Sequence, residues 1–217
     1  MCALRVRAAV LGRCEVMSKL YCRVVEPLAL LRRASDFYDR RLISVKQDQW
    51  ELPSVCDGWS VRDVADHVLG GNRFALGMLA GLDANAAYAA ALADGFDEEP
   101  VTAYRGSAQA QLEAFSAAGA LDVVVQHPDG DIGARQFLGF RLGDLLLHGW
   151  DLARSTGGDD TLDDELVEPV WEAYHRIITA TNDRGAFGHG PSGTVSSDSP
   201  LAVRLLDLTG RRAQGDA

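Results

Sequence analysis

The sequence predicts an all-α protein, an antiparallel helical bundle built on about four long helices. Three observations carry this. Apolar residues recur with a 3.6-residue period in stretches of roughly 15–25 residues. Those stretches end at proline or glycine rather than running on. Only one short segment, Leu121 to Val125, reads as extended. The 217 residues are 47% hydrophobic and 24% charged, enough chain and apolar content for one core.

The elements follow in order. From Cys22 to Lys46 the residues Val24, Val25, Leu28, Leu31, Ala34, Phe37, Leu42 and Ile43 keep a mostly helical period, a long first helix. The stretch "QDQWELPSVCDGW" breaks it with Pro53 and Gly58. Ser60 opens the second helix, and Asp63 three residues on forms the S-x-x-D variant of a capping box. That helix runs from Val61 to Ala80 and stops near Gly81. Residues 82–100, rich in alanine and acidic side chains, read as a loop with a short helical piece. A third helix covers Val101 to Ala118. The extended stretch after it ends in a Pro-Asp-Gly turn. The fourth helix, Ala134 to Ser155, stops at Gly157-Gly158, and the fifth spans Asp163 to Thr181. The tail is loop-like until a short helix from Pro200 to Leu208.

Charge and cysteine usage narrow the function classes. A net charge of −10 argues against nucleic acid or an anionic membrane as partner. No apolar run approaches the ~20 residues that span a bilayer. The N-terminal residues hold three arginines and a short, broken apolar segment, without the h-region of a secretory signal. Residues 1–20 are expected to be an ill-ordered extension, with Met17 an alternative start, and 21–217 one bundle domain. Cys2, Cys14, Cys22 and Cys56 show no paired spacing, so reduced thiols in a cytoplasmic protein are expected.

The chemistry gathers on the fourth helix, in "LGDLLLHGWDLARSTG". Asp144 and His148 stand about 40° apart and one turn along, beside the stripe Leu138, Leu142, Leu145, Gly149 and Leu152. An unpaired carboxylate at the edge of a buried stripe is costly. On the second helix His67 stands beside Val61, Val64 and Val68, followed by Gly70-Gly71, which would let another backbone approach. Two imidazoles and a carboxylate from facing helices suit zinc or another divalent first-row ion, with positions left for water or substrate. The plainer reading is an i,i+4 ion pair and a satisfied core histidine, and spacing alone leaves both open.

The other candidates are weaker. His127 precedes Pro128 in a turn, His175 lies on a helix flank, and His189 sits in a glycine-rich loop. Cys56, before "DGW", reads as a small buried hydrophobe. Arg141 and Arg154 flank the motif and would suit a carboxylate on a substrate or cofactor. Arg154 fits better as a partner of Asp151 or Asp159 at the helix end. Asp63, one turn before His67, is placed to orient that imidazole, although its capping role needs no such task.

The segment "WELPSVCDGWSVRDVADHVLGG" resembles the W…P…C.GW…D…H motif of the DinB-like family. More narrowly it resembles the actinobacterial branch related to mycothiol-dependent maleylpyruvate isomerase, with its N-terminal metal-binding domain. "FLGFRLGDLLLHGWDLARSTG" is similar to that branch's D…HgWDLArAtG motif, and "AFGHGPSGTVSSDSPLAVRLLDLTGRRA" to its closing segment. The resemblance spans Val24 to Arg212. It implies a DinB-like four-helix bundle, with additional short helices and a C-terminal tail, around a divalent metal, usually zinc, whose ligands fall on His67, Asp144 and His148. It also implies mycothiol as a thiol cosubstrate, and a thiol S-transferase or isomerase acting on a small electrophile. A metal-dependent hydrolase and a non-catalytic, metal-stabilised binding module are the alternatives. The isomerase has a glutamate where this chain has Asp144. It also has a larger C-terminal domain where about 35 residues follow the fifth helix here. Both differences count against maleylpyruvate as substrate. The partners expected are a small molecule and a thiol, neither nucleic acid nor membrane, with a homodimer left open.

Overall fold

A computed structural model describes residues 26–96, 99–128, 130–181 and 190–212. Residues 1–25 lie outside it, and with them Cys2, Cys14, Cys22, Met17 and the start expected for the first helix at Cys22. His189 is likewise outside.

The architecture is all-α apart from one small hairpin. Helix α1 covers residues 26–42, α2 Val61–Leu79, α3 Ala84–Leu92, α4 Pro100–Ser116, α5 Ala134–Thr156, α6 Asp164–Thr181 and α7 Leu201–Leu208. Helix α2 packs against α3, α4 and α5, α5 against α6, and α6 against α7. Helix α1 joins the bundle through the Arg105–Asp39 ion pair to α4, at 2.7 Å, and the Arg33–Asp163 pair at the head of α6, at 2.9 Å. Phe37, Leu145, Leu146, Leu166 and Leu205 form the fully buried centre. Among the described residues no helix is long and apolar enough to cross a membrane.

Local chemistry explains the boundaries. Ser60 and Asp63 form a reciprocal capping box at the start of α2. Gly157, at φ +72°, ends α5 in the left-handed conformation, and the Gly158 amide reaches back to the Ala153 carbonyl at 2.8 Å. Helix α1 stops at residue 42 rather than at Lys46. Ser44 and Val45 bond to carbonyls three residues back, tightening the last turn, and the Ser44 hydroxyl takes the Arg41 carbonyl at 2.7 Å. Ile43, which fits the helical period, is left half exposed.

The extended stretch also falls elsewhere. Ala120–Asp122 is a turn of 3₁₀ helix, and the strand β1 is Val124–His127, paired antiparallel with β2, Gly130–Gly133. Glycines flank Asp131 and Ile132 in β2, so it shows no alternating pattern of its own.

Between α1 and α2 the chain folds back, Ser54 donating its amide to the Trp59 carbonyl at 2.8 Å. This loop is fastened to the C-terminal end of α5. The Val55 amide donates to Ser155 Oγ (3.0 Å), and Gln49 Nε2 to the Thr156 carbonyl (3.0 Å). Cys56 and Trp59 are thereby held over the polar turn of α5.

Candidate metal centre

One nitrogen of His67, one oxygen of Asp144 and one nitrogen of His148 lie within 4.8 Å of one another. Helix α2 supplies the first and α5 the other two. The two imidazoles meet edge to face, with ring centroids 4.8 Å apart, and the Trp59 indole lies 4.9 Å from His67 and 6.1 Å from His148. Among the described residues no fourth histidine, cysteine or carboxylate joins the three within the same reach.

His67 and Asp144 face a cavity of about 1360 Å³. His67 is exposed toward the cavity, while Trp59 and His148 crowd its ring from the protein side. That burial drops the His67 pKa to about 4, against the opposing pull of Asp144. The imidazole is therefore neutral at physiological pH, the form that ligates a cation. Burial works to raise the Asp144 pKa, but Arg141 and the two imidazoles outweigh it and hold the group below the usual carboxylate range.

Arg141 is buried, and its fork is fully engaged. Nε donates to Gln111 Oε1 at 2.8 Å, Nη2 to Asn72 Oδ1 at 2.8 Å, and Nη1 to Asp144 Oδ2. It positions Asp144 rather than reaching for a substrate. The Gly71 next to His67 serves this side chain, since a Cβ there would collide with the Arg141 guanidinium. The close approach that Gly70-Gly71 permits is thus made by a side chain, not by a backbone.

His148 is braced differently. Its Nδ1 lies 2.8 Å from Asp151 Oδ2. An ionised carboxylate only accepts, so Nδ1 carries the proton and Nε2 presents its lone pair. Asp151 is fully buried and clasped by Arg211, Nε to Oδ1 at 2.7 Å and Nη2 to Oδ2 at 2.6 Å. Burial opposes ionisation of Asp151, yet Arg211 and His148 drive its pKa well below the usual range. The Cys56 thiol donates to the same Oδ2 at 3.3 Å, and burial pushes that thiol up to about 12. Cys56, His148 and Asp151 also lie within 4.8 Å of one another. Two donors converging on one carboxylate account for that cluster without an ion.

The remaining candidates fall elsewhere. Arg154 pairs with Asp160 at 3.1 Å, not with Asp151 or Asp159, because Arg211 already occupies Asp151. Asp63 accepts from the Ser60 amide (2.8 Å) and hydroxyl (2.7 Å), which engages it in the helix cap. His175 stacks on Trp171 with centroids 4.6 Å apart, and His127 packs near Phe140 on the cavity wall.

The model of the mycothiol maleylpyruvate isomerase N-terminal domain family matches residues 31–153, more than half of the chain and all of α2 to the polar turn of α5. The chain belongs to this family. Within reach of the same family, two uncharacterized proteins of Mycobacterium tuberculosis, from strains CDC 1551 / Oshkosh and ATCC 25618 / H37Rv, are each 32% identical over 176 residues. They cover 81% of this chain and 89% of their own. Crystal structures of the mycothiol-dependent maleylpyruvate isomerase and of a mutant of it share the fold. Their TM-scores are 0.53 and 0.50 at 20% and 21% identity, over 72% and 77% of this chain and 69% and 72% of theirs.

The family match stops at residue 153, short of Arg211. Sequence reasoning assigned no role to Arg211, Asn72 or Gln111, and gave Asp151 only that of a partner for Arg154. Asp151 had a local signal, since it stands three residues after His148 and two turns after Asp144 on one face. Arg211 had none beyond its place in the closing "LTGRR".

Proposed function

We propose that the chain is a divalent-metal enzyme that uses mycothiol, or a similar low-molecular-weight thiol, in S-transfer to or isomerisation of a small electrophile. The observation that carries this is the convergence of His67, Asp144 and His148 within 4.8 Å of one another, with His67 and Asp144 lining a large cavity. Two imidazole nitrogens and an ionised oxygen suit zinc or a similar ion, and three protein ligands leave a position for an exchangeable one. A divalent ion held there lowers the pKa of a coordinated thiol, which is near 8.5 when free.

The chain's own residues do the rest. Arg141 keeps Asp144 ionised and aimed, Asp151 fixes the His148 tautomer, and Trp59 shields both rings on one side. Cys56, a candidate fourth ligand that would close the site, is turned to Asp151 instead, which favours an open, reactive centre over a structural one.

The test has two readings. Protein purified without chelators carries close to one equivalent of divalent metal, and with mycothiol it converts monobromobimane-type electrophiles to thioethers. Both properties disappear in His148→Ala. Metal below about 0.1 equivalent in the unaltered chain rejects the proposal.

A further inference from the structure

We infer that the cavity beside His67 and Asp144 takes an uncharged electrophile of aryl size and discriminates against dicarboxylates. This rests on the functional reading above and names its substrate class.

The far wall is aromatic. Phe74 and Phe137 meet edge to face with centroids 6.2 Å apart, and Phe140 and Tyr174 do so at 6.0 Å. The Tyr174 hydroxyl donates to the Phe140 carbonyl at 3.1 Å, and both residues line the cavity. Such a wall favours flat apolar groups through burial and ring stacking.

The charges point the same way. Four lining carboxylates, Asp63, Asp66, Asp83 and Asp144, face one lining arginine among the described residues, Arg141. Its three guanidinium nitrogens are taken by Gln111, Asn72 and Asp144. The flanking arginines of α2 are engaged too. Arg62 pairs with Asp66 at 2.8 Å and donates to the Phe96 carbonyl, and Arg73 donates to the Gly95 carbonyl at 2.6 Å. A dianion entering the metal-free cavity loses its hydration shell and meets acidic side chains, while Arg141 and Arg62 are already paired with Asp144 and Asp66. An uncharged aryl group meets no such penalty. With an activated chloroarene such as 1-chloro-2,4-dinitrobenzene, the thiol sulfur bonds to the chlorine-bearing ring carbon and the carbon–chlorine bond then breaks. Chloride departs with the electron pair, and the thiol proton passes to solvent.

Binding is measured by calorimetry on the metal-free full chain, where no ion can take up a carboxylate, with 1,3-dinitrobenzene and phthalate as unreactive probes of equal ring size. Dinitrobenzene is expected to bind tighter by at least about tenfold. Phe140→Ala should erase that margin. Asp63→Asn/Asp83→Asn, which keeps side-chain caps on both helices, should strengthen phthalate while leaving dinitrobenzene unchanged. Equal or tighter binding of phthalate by the unaltered chain, or binding of neither probe, overturns the inference. The readout needs no turnover. Aryl preference without thioether formation from 1-chloro-2,4-dinitrobenzene sinks the transferase and spares the selectivity; phthalate preference with turnover does the reverse.

Discussion

Two arginine–carboxylate pairs stand behind the candidate metal centre, and they differ in nearly every respect except chemistry. Arg141 and Asp144 lie three residues apart on α5, and the Asp144 side chain keeps 29% of its exposure, toward the cavity. Arg211 and Asp151 lie sixty residues apart in sequence, and Asp151 is completely sealed. The open carboxylate can accept a cation. The sealed one has both oxygens occupied and acts on the site only through the His148 ring. Identical pairs thus perform two tasks, one presenting a ligand and the other orienting one, and burial decides which.

The comparison predicts unequal results from equivalent substitutions. Asp144→Ala removes a ligand, so bound metal should fall from near one equivalent to below about 0.1, by elemental analysis after dialysis. Asp151→Asn keeps all three ligands and an acceptor for Nδ1, so it should weaken metal binding by about 10–100-fold rather than abolish it. If the two variants lose metal equally, Asp151 is not confined to orienting His148.

Stability should rank the pairs in the opposite order. Arg211→Met leaves Asp151 buried without its cation, and breaking such a pair costs about 3–5 kcal/mol. The expected loss in Tm is roughly 10 °C by calorimetry. Arg141→Met leaves Asp144 with access to cavity water, so its Tm should fall less. A smaller loss for Arg211→Met than for Arg141→Met would contradict the assignment of the sealed and open roles.

The same contrast separates what was legible in the sequence from what was not. Each helix lies within one periodic segment, and a 100° step per residue places Asp144 and His148 on one face of α5, with His67 offered by a second segment. The Arg141–Asp144 pair is equally local, although its direction was missed. Arg141 looked free to grip a substrate because its amide partners, Asn72 and Gln111, come from α2 and α4. Arg211 reaches the site only because α7 docks on α6 and the chain turns back after Thr209. That geometry is tertiary, and no period or spacing near Arg211 encodes it. The hairpin escaped for a related reason, since β2 exists through pairing with β1 and not through its own pattern.

Acid should expose the cavity side of the contrast. In the folded chain His67 titrates near 4, below the unfolded value of about 6.5. Between those values the unfolded chain binds a proton that the folded chain does not, so metal-free stability falls as pH drops from about 6.5 toward 4. Above 6.5 both states are neutral and the contribution vanishes. His67→Gln should lose less Tm than the unaltered chain across that window. The depressed carboxylates Asp144 and Asp151 act in the same sense at lower pH, and they are common to both proteins. Parallel Tm curves from pH 7 to 4 would mean that the ring is not held neutral by burial.

The smallest effect tests whether His67 has an orienting carboxylate as His148 does. Asp63, one turn earlier on α2, is the residue placed to be one, yet it faces the Ser60 amide and hydroxyl. Those bonds, not the site, hold it ionised below the usual range. Asp63→Ala should therefore cost about 1 kcal/mol, the value of a helix cap, and leave metal affinity within about twofold of the unaltered chain. A tenfold or greater loss of metal at that position would give His67 a polar brace after all. The two histidines would then be supported alike. If affinity holds, one imidazole is fixed by a carboxylate and an arginine from the tail, and the other by the rings of Trp59 and His148 packed against it.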